Sequence, residues 1–429
     1  MIGTFSLSAI GCRLNQYEFE AAGAKLEALG FQQVDEGERA DITVINTCTV
    51  TARADADGRQ ALRRARRISP DGKLIVTGCY ATAQPEAIGA LGQVDLVVAN
   101  MDKDRLVERM VEAFGYAIPG GIDWNGINSP AFALNRFTTH TRAMVKIQDG
   151  CQESCSYCII PRARGLERSR APESVVTEVS ALEGAGYKEV VLTGVHVGKY
   201  RHSDLRLVDL LRKILKETTI PQIRLSSLEP REFRPALAEL LVEEPRLCPH
   251  LHIPLQSGDD AVLAAMRRSY DTAYARALFQ SLTGPRRALA IGTDIITGLP
   301  GETDAQFDRT VDFVRALPLS YLHVFSYSDR PHTAALDMAD KVPACEITRR
   351  TALLRRESTK LRNRFLRGHL GKVLAVLIER RRDRASGRLI GTSGNFVRVQ
   401  AEGPDGWINQ IVPLRITGFG EGHALGEAA

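Results

Sequence analysis

Three cysteines crowd into the stretch Cys151-Gln152-Glu153-Ser154-Cys155-Ser156-Tyr157-Cys158. Three thiolates at CxxxCxxC spacing suit a metal cluster rather than disulfides. A [4Fe–4S] cluster normally takes four Cys ligands, so three leave one iron open to something else, as an open zinc position admits substrate. That open position gives the site a catalytic character, and the loop follows a strand-like run at 143–148.

The chain has 429 residues, 44% hydrophobic and 25% charged, ordinary for globular protein and enough for two to four domains. The amino terminus has no basic n-region and too short an apolar run for a signal peptide. No segment approaches the roughly 20 apolar residues needed to span a bilayer. The expectation is a cytoplasmic protein whose eight cysteines stay reduced and free to bind metal. The net charge of +5 is unevenly placed, with 14 Lys+Arg against 3 Asp+Glu between Arg349 and Arg388. That run is either a solvated face or a footprint for RNA phosphates.

Residues 1–113 alternate strand-like runs, at 4–10, 41–46, 73–77 and 95–99, with helical segments. This pattern argues a parallel α/β sheet of Rossmann or flavodoxin type. The first helix is expected from Asn15, read as its cap, to Gly30. Residues 115–135 are rich in Gly and Pro without periodicity and read as a linker. A second alternation follows, with strands expected at 143–148, 189–193, 222–226, 250–253, 288–296 and 321–326. Six strand-then-helix units suggest a partial (β/α)6 barrel, because the next segment, 346–370, is helical and basic. From 371 the pattern changes to five short strands, at 373–379, 388–392, 396–400, 407–412 and 414–418, as in a small antiparallel barrel.

Cys12, Cys48 and Cys79 are dispersed in sequence, yet each falls just past one of the first three expected strands. Loops at the carboxyl ends of parallel strands form the ligand crevice, and neighbouring strands lie about 4.8 Å apart. Three thiolates can therefore converge there as a second iron–sulfur site, again with three protein ligands. The competing reading is three unrelated buried thiols. Cys248 and Cys345 have no Cys neighbour and read as structural. His196, His252 and His323 fit no local zinc spacing and read as hydrogen-bonding residues.

A CxxxCxxC loop behind the first strand of a partial barrel resembles the radical S-adenosylmethionine (radical SAM) signature. With the upstream three-cysteine domain and the downstream small barrel, the chain resembles the radical SAM methylthiotransferases. Asn46-Thr47-Cys48-Thr49-Val50-Thr51, Ile159-Ile160-Pro161-Arg162-Ala163-Arg164-Gly165, Tyr187-Lys188-Glu189-Val190-Val191-Leu192-Thr193-Gly194-Val195-His196 and Gly11-Cys12-Arg13-Leu14-Asn15-Gln16-Tyr17-Glu18 are similar to the branch acting on threonylcarbamoyladenosine in tRNA. The isopentenyladenosine branch and the branch acting on a ribosomal-protein aspartate are the alternatives. Asp259, His332 and Thr297 depart from residues usual in the family and leave every cluster ligand in place.

The resemblance implies an auxiliary-cluster domain over 1–114, a linker over 115–136, a radical SAM domain over 137–368 and an RNA-binding, TRAM-like barrel over 369–424. It implies two [4Fe–4S] clusters, one on Cys151, Cys155 and Cys158 with S-adenosylmethionine at the open iron, the other on Cys12, Cys48 and Cys79. Tyr157 would lie beside the adenine. Thr193, Gly194, Ser226, Ser227, Glu229 and Gln256, at the carboxyl ends of barrel strands, are candidates for holding S-adenosylmethionine. Asp294, near another strand end, reads as structural. Implied partners are tRNA, a flavodoxin-type or similar electron donor and a sulfur donor system, with no membrane. The basic face Arg59, Arg63, Arg64, Arg66 and Arg67 is a candidate tRNA contact or a solvated helix surface. A non-catalytic iron–sulfur RNA-binding or electron-transfer protein is the rival class, although electron carriers usually complete their clusters with four Cys.

Overall fold

The computed structural model describes all residues except 1, 119–121, 129–133, 135–136, 138–139 and 284–288. The chain divides into two compact units. The first is Met1–Asn135 with Lys146–Glu178 and Ser328–Leu336; the second is Arg136–Val145, Val179–Tyr327 and Asp337–Ala429.

In the first unit, strands β1 (Thr4–Ala9), β2 (Gln32–Gln33), β3 (Ile42–Thr47), β4 (Lys73–Gly78) and β5 (Leu96–Val98) form one sheet in the order β2-β1-β3-β4-β5. All pairings are parallel. This is the doubly wound flavodoxin-like order. β3 is buried along its whole length, so its Ile-Thr-Val-Ile run needs apolar cover on both faces. Phe5, Leu26, Ile42, Ile75 and Met110 pack on one side. Ile45, Leu62, Val76 and Ile88 pack on the other. The two-residue β2 is too short and too polar for periodicity to reveal.

Helix α1 runs over Arg13–Ala28, with Cys12 at the capping position and no side-chain cap. Asn15 is therefore inside the helix rather than its cap. Its amide Nδ2 donates to the carbonyl oxygens of Ile10 at 2.7 Å and Thr47 at 3.1 Å, which ties together the ends of β1 and β3. Helix α2 (Ala52–Ile68) is capped by Thr51, whose hydroxyl accepts from the Ala54 amide at 3.1 Å. Helix α3 (Cys79–Ala83) starts directly at the end of β4.

In the second unit, β6 (Ala143–Lys146), β7 (Glu189–Thr193) and β8 (Gln222–Leu225) share a sheet, as do β9 (His250–His252), β10 (Ala290–Thr297) and β11 (Tyr321–Ser326). A parallel bridge between Ser227 and His252 joins the two sets. All six expected strands are present, although position 288 lies outside the described residues. The strand expected over 143–148 ends at Lys146, and Gln148–Asp149 instead pairs antiparallel with Arg168–Ser169.

The edge of β11 is sealed by helix α4 (Ala344–Arg367). The Ser358 hydroxyl accepts from the Leu322 amide and donates to its carbonyl, both at 2.9 Å. Thr351 bonds Ser326 at 3.0 Å and Thr297 at 2.8 Å. A helix side chain thus takes the hydrogen bonds a seventh strand would have supplied.

The carboxyl-terminal strands Val373–Arg382, Leu389–Ser393, Arg398–Ala401, Ile411–Gly420 and His423–Ala428 close into a barrel. Two expected strands, at 407–412 and 414–418, are largely one: Asp405–Trp407 forms a turn and Ile411–Gly420 is continuous. The fifth strand is His423–Ala428, which returns antiparallel on Ile411–Gly420 and parallel on Arg398–Ala401.

Gly78 closes β4 at φ +101, and a Cβ there would run into the Thr47 carbonyl. Gly78→Ala is expected to lower the unfolding free energy by about 1–3 kcal/mol in urea titration of the full chain. Gly89→Ala, where an added Cβ meets nothing within 4 Å, should stay within about 0.5 kcal/mol of the parent.

Candidate functional site

The parallel register delivers the first three cysteines to one end of the sheet. Ala9 pairs with Asn46, and Asn46 with Thr77, so Cys12, Cys48 and Cys79 follow aligned strand ends at offsets of three, two and two residues. Gly11, at φ +109, lies against Cys48: a Cβ there would stand 2.6 Å from Cys48 Cβ and 3.0 Å from its Sγ. Cys48 and Cys79 are buried and Cys12 is exposed. Burial pushes the Cys48 thiol up to about 11; the Val50 amide opposes this, and the neighbouring Cys79 and Cys12 add to it. Thiols gathered at one end of a sheet suit a metal centre, because coordination to a cation ionises a thiol outright. This donor set fits an iron–sulfur cluster.

The CxxxCxxC loop belongs to the same unit. Gly150 enters it at φ +76, where a Cβ would strike the backbone of Leu166. The Cys151 amide donates to the Gly165 carbonyl at 3.1 Å, and the Cys158 amide to the Cys155 carbonyl at 3.1 Å. Cys151, Cys155 and Cys158 are each half-buried. Ser156 Oγ is buried and has no hydrogen-bond partner among the described residues, a polar atom suited to a group seated in the loop. Tyr157, next to it, is half-buried.

The short helix Ile160–Arg164 follows the loop and packs on α3, with Cys79, Ala83, Ile159 and Ala163 forming one buried cluster. Asn100 Nδ2 donates to Cys79 Sγ at 3.5 Å and to the Ala163 carbonyl at 2.7 Å. Beneath the cysteines lies a buried ionic group. Arg164 donates to Glu18 Oε1 at 2.8 Å, Asp149 Oδ1 at 3.1 Å and Asn15 Oδ1 at 2.6 Å. Lys103 Nζ reaches Glu18 Oε2 at 2.6 Å, and Lys146 Nζ stands 3.7 Å from Glu18 and 3.6 Å from Asp149. Burial alone would raise the Glu18 carboxyl, but Arg164, Lys103 and Lys146 hold it well below the ordinary carboxylate range. Sequence reasoning did not select Glu18, Asn100, Lys103, Asp149 or Arg164 as site residues. The signals were the Asn15-x-x-Glu18 spacing on one helix face and Arg164 within its quoted motif.

In the second unit, the strand-end candidates fall into separate settings. Thr193 is buried at the end of β7 and Gly194 follows it. Ser226 Oγ is buried without a partner among the described residues. The Ser227 hydroxyl bonds His252 Nδ1 at 2.8 Å, and His252 Nε2 stands 3.0 Å from Asp294 Oδ1. Gln256 is buried at φ +70, its amide bonding the Asp294 carbonyl at 2.8 Å. Glu229 is paired with Arg268, yet burial still raises its carboxyl above the ordinary range. His196 Nε2 stands 2.5 Å from Glu232, and Glu232 Oε2 accepts from the Glu229 amide at 2.8 Å.

The basic helix face divides. Arg66 is spent on the carbonyl oxygens of Pro70, Gly72 and Gln93 and on Asp95, and Arg59 bonds Tyr80. Arg63, Arg64 and Arg67 are exposed.

Glu18→Gln takes the carboxylate from buried Lys103 and leaves Arg164 and Lys146 to share Asp149, and is expected to cost about 3–5 kcal/mol of stability at neutral pH. Because the Glu18 pKa is depressed in the folded chain, its stabilisation is complete above the unfolded carboxyl value and is lost as pH falls toward the folded one. The gap between parent and variant in urea titrations should therefore narrow below about pH 4, and a gap independent of pH would refute this account.

Residues 4–99 match the model of the uncharacterized protein family UPF0004, and residues 145–314 that of the radical SAM superfamily. The chain is 35% identical to the Bacillus subtilis threonylcarbamoyladenosine tRNA methylthiotransferase MtaB, over 97% of this chain and 94% of that one. It is 35% identical to the Aquifex aeolicus protein of the same name, over 87% and 92%. A tRNA-2-methylthio-N(6)-dimethylallyladenosine synthase from Solibacter usitatus is 33% identical over 99% and 98%. The fold resembles that of the radical S-adenosylmethionine methyltransferase TsrM from Kitasatospora setae, solved with cobalamin and a [4Fe–4S] cluster, with a TM-score of 0.60, 17% identity and coverage of 78% and 77%. With relatives this similar over nearly its whole length, and both three-cysteine sets in place, the chain belongs to the radical SAM methylthiotransferase family.

Proposed function

We propose that this chain adds a methylthio group to C2 of N6-threonylcarbamoyladenosine beside the anticodon of tRNAs that read codons beginning with A. The observation that carries the reading is the presence of two three-cysteine sets in one compact unit of a chain 35% identical to a relative named for that modification. Cys151, Cys155 and Cys158 would hold one [4Fe–4S] cluster and Cys12, Cys48 and Cys79 the other, each set one ligand short of the usual four. When bound, these groups and S-adenosylmethionine supply a 5′-deoxyadenosyl radical, sulfur and a methyl group, which an unactivated C2–H needs because no side-chain base usefully removes that proton.

The protein positions the reactants and excludes competing reactions. Tyr157 would flank the adenine of S-adenosylmethionine. Ser226, whose hydroxyl is buried without a partner among the described residues, offers a hydrogen bond to a polar ligand at the strand ends of the second unit. Thr193, Gly194, Ser227, Glu229 and Gln256 complete the strand-end set, and a glycine at 194 places no side chain between its backbone and a ligand. A flavodoxin-type donor would supply electrons, and a sulfur donor system would replenish what each turnover consumes.

The carboxyl-terminal barrel is proposed as a TRAM-like RNA-binding domain. A cavity of about 910 Å³ lies between β11, α4 and the end of the strand Ile411–Gly420, with Phe325, Arg355, Arg362 and Phe419 in its lining. Phe325 and Phe419 are 43% and 38% exposed. Cations beside exposed aromatic rings suit unstacked nucleotides. The charge run is less available than its count suggests: Arg349 is tied to Glu346 and Asp304, and Arg350 is buried against Glu302.

Nucleoside mass spectrometry of tRNA from cells with and without the chain is expected to show 2-methylthio-threonylcarbamoyladenosine lost in the deletion and restored by the gene. Loss of the methylthio-isopentenyladenosine signal instead would assign the chain to the other branch. Substituting Arg355 and Arg362 by Ala should weaken tRNA binding and lower the slope of log K against log salt by about 1 for each phosphate contact removed. An unchanged slope in filter-binding titrations would remove this groove from the RNA footprint.

A further inference from the structure

Arg164 ends the helix behind the CxxxCxxC loop, but its guanidinium points into the segments that carry Cys12 and Cys48. One Nη atom donates to Asn15 Oδ1 at 2.6 Å. That bond fixes which way the amide faces, so Asn15 Nδ2 is left to hold the carbonyls of Ile10 and Thr47 at 2.7 and 3.1 Å. These are the residues two before Cys12 and one before Cys48. The adjacent Ala163 carbonyl takes the Asn100 amide that also reaches Cys79 Sγ at 3.5 Å. The last turn of one short helix therefore touches the supports of all three auxiliary cysteines.

The charges point the same way. Two carboxylates, Glu18 and Asp149, face four cations: buried Lys103, Lys146 and Arg164, and the more exposed Arg168, 2.9 Å from Asp149 Oδ2. Arg164 stays above its ordinary value against the pull of burial, through Glu18, Cys79, Asp149 and Cys12. A surplus of positive charge in a poorly screened interior stabilises a reduced, more negative group beside it.

We propose that Arg164 is a positioning residue for the auxiliary site, holding the cysteine-bearing loops through Asn15 and setting the reduction potential of the cluster bound there by its charge. This rests on the reading that Cys12, Cys48 and Cys79 hold a cluster. Groups in this outer position typically change metal affinity by about 10- to 100-fold. Lysine keeps the charge but lacks the planar fork that reaches Asn15, Glu18 and Asp149 together.

The test uses the full chain with Cys151, Cys155 and Cys158 replaced by Ala, anaerobically reconstituted, so that iron content and the paramagnetic signal report the auxiliary site alone. In redox titrations Arg164→Met is expected to lower the midpoint potential and Glu18→Gln to raise it. The Glu18→Gln/Arg164→Met double variant should return close to the parent, because the net charge is restored. Arg164→Lys should keep the potential near the parent value while iron is lost to a chelator about 10-fold faster. Opposite shifts that cancel in the double variant support the proposal. Unchanged potentials, or shifts of one sign in both single variants, overturn it. Should Arg164→Met fail to fold, the double variant, which leaves no carboxylate stranded by its removal of Glu18, and Arg164→Lys still decide between charge and shape. The underlying reading fails separately: replacing Cys12, Cys48 and Cys79 by Ala in the parent chain would then leave iron content unchanged.

Discussion

The interaction on which the first unit depends is the burial of Arg164 between Glu18 and Asp149. Removing a guanidinium from water costs several kcal/mol, and the cost is offset only where carboxylates meet it in good geometry. Here the partners come from different segments: Glu18 from α1, Asp149 from the short strand before the cysteine loop and Arg164 from the helix after it. None of these charges is tolerable alone in the interior. The ion group therefore specifies that 146–178 folds with the amino-terminal sheet, and it accounts for the membership of both cysteine sets in one compact unit.

The sheet supplies the geometry that the ion group secures. Parallel pairing in register brings the ends of β1, β3 and β4 level. The chain then turns sharply after each strand, and Gly11 and Gly78 permit this because both adopt left-handed backbone in places where a Cβ would meet a neighbour. Side chains on a neighbouring helix complete the arrangement. Asn15, three residues beyond Cys12, carries a hydrogen bond to each of two strand ends.

Strong periodicity explains what could be read from the residues. Runs such as Thr-Val-Ile and Ile-Val-Thr announce buried parallel strands, and the six barrel strands recur behind helical segments. Polar cores are what periodicity hides. Asn15 has the composition of a helix cap, but its amide is more valuable inside the helix, where it satisfies two backbone carbonyls. Gln32–Gln33 joins the sheet through backbone pairing to Thr4 and Phe5, with no apolar alternation to signal it. In the small barrel, Pro413 suggests a break between two strands, yet it sits within one continuous strand, opposite Ala375. Charge counting misleads in a related way at Arg349 and Arg350, whose carboxylate partners Asp304 and Glu302 lie far outside the basic run.

In the second unit the sequence of constraints ends at an edge. Gly292 has no side chain, and the ring of Tyr321 fills the space a Cβ would need. Tyr321 in turn bonds His250 at 2.8 Å and stacks near His252, whose ring meets Ser227. These side chains form a polar, aromatic column along β9, β10 and β11. Such a column needs partners at its open side, and β11 is the last strand. Ser358 and Thr351 of α4 satisfy its edge by side-chain bonds, leaving His323 and Phe325 exposed. A seventh strand on that edge would compete for the Leu322 amide and carbonyl that Ser358 now holds. The same two hydrogen bonds that stop the barrel at six strands therefore keep an aromatic, cation-lined groove open to solvent.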